Sequence, residues 1–151
     1  MAISVIEKIE ILASPAEIAK IMFDPNQTIR WIGGIKEVRD ISGVPIEVGS
    51  KHNRIADYAG KDVEYILEVT DFIPDKLLVM HTKKSPFPME VTYKIDVFQE
   101  HHSMVEIKLE GSSDGFLMFL DRLSTIMVSQ HLKGDLEKLK DMAEGVSWLD
   151  K

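Results

Sequence analysis

Between residues 3 and 12 apolar side chains fall on alternate positions: Val5, Ile9 and Ile11 share one face, and Ile6 and Leu12 break the pattern on the other. A period of two is that of a strand buried on one side. Ser14-Pro15-Ala16-Glu17 then supplies a capping serine, a proline at the first helical position and a glutamate at the third, so a short helix carrying Ile18, Ile21 and Met22 is predicted. Asp24-Pro25-Asn26-Gln27 repeats the device, and a second short helix ends at Gly33-Gly34, with Ile29, Trp31 and Ile32 available to press on a sheet. From 35 to 113 the chain reads as strands parted by turn chemistry at Ser42-Gly43-Val44-Pro45, Ala59-Gly60-Lys61, Ile73-Pro74-Asp75-Lys76, Ser85-Pro86-Phe87-Pro88 and Glu100-His101-His102. That spacing gives six antiparallel strands. Val91, Tyr93, Ile95 and Val97 alternate with polar residues, as do Val105, Ile107 and Leu109, so one face is dry and the other wet.

The last element is the longest. From 114 to 144 apolar residues recur at three- and four-residue spacing without a proline, which predicts an amphipathic helix of roughly 40 Å. Phe116, Leu120, Leu123 and Met127 form one stripe; Val128, Leu132, Leu136, Leu139 and Ala143 form another, displaced by roughly 140°. The two halves therefore face different neighbours, or the helix bends between Ser129 and Gly134. The first half is expected to cover a cavity and the second to pin the helix to the sheet.

These elements give an α+β architecture: a strongly curved seven-stranded antiparallel sheet wrapped around the long C-terminal helix, with two short helices between strands 1 and 2. The 151 residues, 44% hydrophobic, suit one domain over 1–144 and a short tail at 145–151. A net charge of −7 with no Lys/Arg cluster argues against a nucleic-acid partner. No segment reaches the length of a membrane span. The chain has no cysteine, which removes thiolate chemistry and fits a reducing compartment. No export signal is readable at the start, and the expected location is cytoplasmic.

Several short runs also resemble a known family: Ile11-Leu12-Ala13-Ser14-Pro15-Ala16-Glu17; Asp24-Pro25 followed by Trp31; Gly34-Ile35-Lys36-Glu37-Val38; Val48-Gly49-Ser50; Glu68-Val69-Thr70-Asp71-Phe72-Ile73-Pro74; and Leu132, Leu136, Leu139 and Glu144. In order and spacing the sequence resembles the START-like (SRPBCC) superfamily of polyketide cyclase/dehydrase and lipid-transport proteins, with its Bet v 1-like helix-grip fold. The resemblance implies an elongated apolar cavity between sheet and long helix. It does not imply a reaction, because the superfamily holds carriers, cyclases, oxygenase domains and co-chaperones.

The candidate chemistry lies on the strand after Gly49. Parity puts His52, Arg54, Ala56 and Tyr58 on one face. Relatives, by that resemblance, usually carry apolar side chains at the first two of these positions. Facing inward, His52 and Arg54 form a donor pair for a carboxylate, phenolate or phosphate head group; with a bulge in the strand, both face water. Tyr65, Leu67, Tyr93, Ile95, Val105 and Ile107 are lining candidates from other strands, and Trp31 stands where the cavity mouth is expected. His81 follows a run apolar on both faces and has no assignable direction. His101-His102 reads as a solvated turn, and His131, on the long helix near Gly134, has no helical partner at i±4 other than Met127 and Asp135. Met22, Met80, Met89, Met118 and Met127 supply adaptable surface, and Trp148-Leu149 is an apolar pair for docking back or for a homodimer interface.

No catalytic triad, HExxH, phosphate loop or paired carboxylate is readable, and no metal or cofactor is expected. The leading expectation is a binding or transport module for a small, mostly hydrophobic ligand: a lipid, polyketide or aromatic-like molecule. The ligand-binding set is Trp31, His52, Arg54, Ala56, Tyr58, Tyr65, Leu67, His81, Tyr93, Ile107, Phe116, Leu120, Leu123 and Met127. One alternative is a cyclase/dehydratase-like enzyme, in which Arg54 or His52 polarises a carbonyl and a tyrosine shuttles a proton. The other is a co-chaperone-like regulator working through its surface.

Overall fold

The computed structural model describes residues 2–58, 60–83, 88–112 and 125–149, with the side chains of Ala2, Ile3, Tyr58, Ser112, Thr125, Met127 and 146–149 outside the description. Its elements follow the order that the hydrophobic pattern predicts. Strand β1 (Ala2–Ile11) leads into helix α1 (Pro15–Met22), a 3-10 turn (Pro25–Gln27) and helix α2 (Thr28–Trp31). Strands β2 (Ile35–Ser42), β3 (Lys51–Tyr58), β4 (Lys61–Ile73), β5 (Leu77–Lys83), β6 (Met89–Gln99) and β7 (His102–Ser112) follow, then helix α3 (Thr125–Leu149). The strands form one antiparallel sheet in the order β1-β7-β6-β5-β4-β3-β2.

Local chemistry accounts for the entry into the helices. Ser14 Oγ accepts the Glu17 backbone N–H at 3.2 Å, and the Glu17 carboxylate accepts the Ser14 N–H at 3.1 Å, the reciprocal cap that the sequence predicts. Asp24 does the same for the turn, accepting the Asn26 N–H at 2.9 Å. Reversals between strands use left-handed backbone at Asp75 and His101.

The dry face of the sheet carries Val5 and Ile11 from β1, Leu67 and Val69 from β4, Leu78 and Met80 from β5, Val91 and Ile95 from β6, and Val105 and Ile107 from β7, all buried. The predicted alternation in β6 ends one step early. Val97 is exposed, where a register irregularity interrupts the pairing of β6 with β7. Helix α3 lies along β1 and meets α1 and α2. Its Leu136 and Leu139 are fully buried and Val128 nearly so, with Leu132 and Ala143 partly buried against the same core. The second predicted stripe is thus the packed one, each fully buried leucine contributing about 1.5–3 kcal/mol. Polar ties fix the helix to the first strand. Glu144 accepts the Leu12 N–H at 2.7 Å, Lys140 Nζ donates to the Glu10 carbonyl at 3.2 Å, and Ser129 Oγ donates to Glu7.

One expectation about this helix changes. Gly145 does not end it: α3 continues to Leu149, so most of the predicted tail is helical. A glycine inside a helix costs about 1 kcal/mol relative to alanine, too little to stop a helix held by its neighbours. The predicted cavity cover at Phe116, Leu120 and Leu123 lies outside the described residues, as do the Met127 and Tyr58 side chains and most of the Ser85-Pro86-Phe87-Pro88 turn.

Candidate binding site

The site is set by how β3 begins. Gly49, at φ 97°, takes a left-handed turn open to glycine at little cost. Its N–H then donates to the Val69 carbonyl at 2.8 Å, and the Val69 N–H donates to the Ser50 carbonyl at 2.8 Å. This pair locks β3 onto β4, and the register runs unbroken from Lys51 opposite Glu68 to Tyr58 opposite Lys61. The bulge that would reverse the strand is therefore absent from this pairing. The irregularities sit on the other side, between β2 and β3. Ser50, His52, Arg54 and Ala56 all face the interior, each no more than 5% exposed.

A loop closes over the start of the strand. Ser50 Oγ donates to the Gly43 carbonyl at 2.6 Å and accepts the Glu47 N–H at 3.0 Å. Gly43 has φ 73°, and a Cβ there would collide with Ser50 Oγ. The loop meets the corner between α1 and α2 to form a crevice. Exposed Val44 with half-buried Asp24 and Ile46 marks its mouth, buried Phe23, Pro25, Leu78 and Met80 its walls, and buried His52, Arg54 and Tyr93 its inner end. The void within it is about 10 Å³, on the order of the space for one water.

The inner end is polar and dry. Arg54 Nη2 donates to the Tyr93 hydroxyl at 3.2 Å, and the Tyr65 hydroxyl, opposite Arg54 in the register, is its second partner. Burial acts most strongly on the guanidinium and disfavours its charge, but the two phenol oxygens raise its pKa above the ordinary arginine value. Tyr65 is itself pushed up by burial, with Arg54 acting in the opposite direction. Burial, then the neighbouring Arg54 charge, lowers His52 from 6.5 to about 3, so its imidazole is neutral at neutral pH. Trp31 is buried and sets its ring edge-on to Tyr93 at 5.6 Å. Three buried nitrogens in this group have no hydrogen-bond partner: Trp31 Nε1, His52 Nε2 and Arg54 Nε.

A second polar contact lies beside it on α3. Asp135, 6% exposed, accepts the Gly33 N–H at 3.0 Å. His131, one turn earlier, has Nε2 at 3.0 Å from the Gly33 carbonyl and must be the donor there, since a carbonyl only accepts. Neither contact is apparent in the sequence.

Of the predicted residues, His52, Arg54 and Tyr93 come together on the crevice. Trp31, Ala56, Tyr65, Leu67 and Ile107 face the same interior but belong to its packed cluster. His81 is a correction: it lies on the outer face, its ring nitrogen 2.9 Å from Glu90, because Leu78 and Met80 take the inward positions of β5. The residues of the crevice mouth were not predicted. They sit on a loop and a corner, where no periodicity marks direction, although the two glycines flanking the loop are legible as turn points. Among the described residues no group of His, Cys, Asp and Glu is arranged to hold a metal ion.

An antiparallel seven-stranded sheet gripping a C-terminal helix, with short helices between its first two strands, defines the helix-grip class. Solved structures agree. A START superfamily protein from Mycobacterium smegmatis superimposes with a TM-score of 0.75 at 15% identity, over 95% of this chain and 98% of that one. The Zhui aromatase/cyclase from Streptomyces gives 0.73 at 11% identity, over 95% and 94%. Truncated norcoclaurine synthase from Thalictrum flavum gives 0.71 at 12% identity, over 95% and 94%. No family model matches the sequence, and no curated protein matches it. At these identities the likeness establishes the fold shared by START-like and Bet v 1-like proteins and leaves activity to the residues of the site.

Proposed function

We propose that the protein binds a small, mostly hydrophobic molecule against the inner face of the sheet, its polar end at the inner end of the crevice. The observation that carries this reading is the dry group of His52, Arg54 and Tyr93 at the end of walls built from Met22, Val69, Leu78 and Met80. Convergent polar groups in an apolar surround fix the orientation of a ligand and are otherwise costly to bury. The void of about 10 Å³ requires the walls to give way on binding, and the two methionines suit that task because their side chains change shape at little cost. Titration of the purified protein with an apolar fluorescent probe is expected to show saturable one-site binding, lost when Ile46→Trp blocks the mouth. Binding that survives the block, or no saturable binding of any apolar probe, would overturn the reading.

One observation favours a second reading, a cyclase/dehydratase-like enzyme. The Arg54 guanidinium and the Tyr93 hydroxyl it touches are the pair that would hold a carbonyl oxygen and move a proton, and two similarly folded proteins are named as an aromatase/cyclase and a synthase. On that reading Tyr93→Phe abolishes dehydration of a β-hydroxy carbonyl compound while binding persists. Binding without turnover by the unaltered protein leaves the first reading alone.

A further inference from the structure

We infer that the molecule held in the crevice is a carboxylic acid with an apolar body, its carboxylate paired with Arg54 and reached by His52. The inference rests on the ligand-binding reading above and names the head group. Arg54 is 5% exposed, and a guanidinium cannot shed its proton to escape burial. Its partners are two phenol hydroxyls, which carry no charge, and its Nε–H has none. Among the described residues no carboxylate forms an ion pair with it. Asp135 acts on Arg54 through its field without an ion pair between them, its carboxylate accepting the Gly33 N–H instead. A buried cation with no anion at hydrogen-bonding distance is costly to keep out of water, and a ligand carboxylate would offset that cost with short charge-assisted hydrogen bonds.

The number of charges selects the class of anion. Lys51 also borders the crevice, but its ammonium group is on the outer face 3.8 Å from Glu68. Asp24 contributes a negative charge near the mouth. Among the described residues one cation without an ion pair therefore borders the crevice from within, which matches a singly charged head group and would leave a doubly charged phosphate half compensated. His52 stands two residues from Arg54 on the same face of β3, with Nε2 unpartnered. In the neutral imidazole, Nε2–H serves the second carboxylate oxygen without adding charge. The low pKa of His52 agrees with that role.

The test compares dodecanoate, dodecanol, dodecylamine and dodecyl phosphate by calorimetry at neutral pH, on the unaltered protein and on Arg54→Met. Dodecanoate is expected to bind on the order of tenfold or more tighter than dodecanol, with the phosphate and the amine weaker than the acid. Arg54→Met should remove the preference and keep the alcohol. Should that variant fail to fold, carboxyl-labelled dodecanoate followed by carbon NMR on the unaltered protein decides the matter, because a carboxylate beside Arg54 stays ionised to lower pH when bound than when free. Equal binding of acid and alcohol, tighter binding of the phosphate, or an unshifted carboxyl titration would overturn the carboxylate inference and leave a hydrophobic-ligand protein. If no member of the series binds, the ligand reading itself falls and this inference falls with it.

Discussion

A histidine with its ring nitrogen unpartnered beside a buried arginine makes stability depend on pH in a defined direction. The folded pKa of His52 is lowered from 6.5 to about 3, so between these values the unfolded chain binds a proton that the folded protein refuses. Stability from this group is complete above 6.5 and is lost as pH falls toward 3, at about 1.4 kcal/mol per pH unit. Urea midpoints followed downward from pH 6.5 are expected to fall more steeply in the unaltered protein than in His52→Gln; parallel lines would mean that His52 reaches water. What the sequence says about such residues depends on whether a strand carries a phase marker. Tyr93 and Ile107 are legible because their strands alternate cleanly. His52 and Arg54 remain ambiguous until the Gly49–Val69 backbone bond removes the bulge. His81 stands in β5, where Leu77, Leu78, Val79 and Met80 are apolar on both faces, and nothing local points it outward to Glu90.

Elements are more legible than side-chain directions, because caps and periods act locally. The Ser14–Glu17 box and the Leu136–Leu139 stripe are each written in adjacent residues. The tie between α3 and the corner after α2 joins Asp135 to Gly33 across the chain, and no local rule anticipates a buried aspartate on an amphipathic helix. Burial pushes the Asp135 carboxyl up, against the opposing effects of the Gly33 N–H and the charges of His131, Arg54 and Lys138. A raised folded pKa gives stability that is complete below the unfolded carboxylate range and lost as pH rises through the folded value. At neutral pH the ionised group therefore lowers stability. Asp135→Asn keeps an acceptor for the Gly33 N–H and removes that cost, so its melting temperature at pH 7 is expected to equal or exceed that of the unaltered protein, the gap closing in acid. Asp135→Ala orphans the N–H and is expected to lose about 1–3 kcal/mol. If asparagine and alanine destabilise alike, the ionised carboxylate is needed, and the field of Arg54 outweighs burial.

At the scale of the molecule, the question is whether sheet and helix form one core or two layers that touch. Leu136 and Leu139 of α3 share a buried cluster with Ile11 of β1, Trp31 of α2 and Tyr93 of β6. The polar ties from Glu144, Lys140 and Asp135 reach residues on either side of α1. Removing one packed side chain from such a shared core should weaken everything together. Leu136→Ala is expected to cost about 2–5 kcal/mol, and Ile126→Ala, at a position 67% exposed, to stay within about 0.5 kcal/mol. The chain has two tryptophans, so a Trp148→Phe background leaves Trp31 as the reporter of the sheet interior, while far-ultraviolet circular dichroism weights α3. Both signals are expected to fall at one urea concentration, in the parent and shifted equally in Leu136→Ala. Helix signal lost ahead of Trp31 emission would show that the described part of α3 is a separable layer. The inner end of the crevice would then keep its shape without the helix, and the site would belong to the sheet and the α1–α2 corner alone.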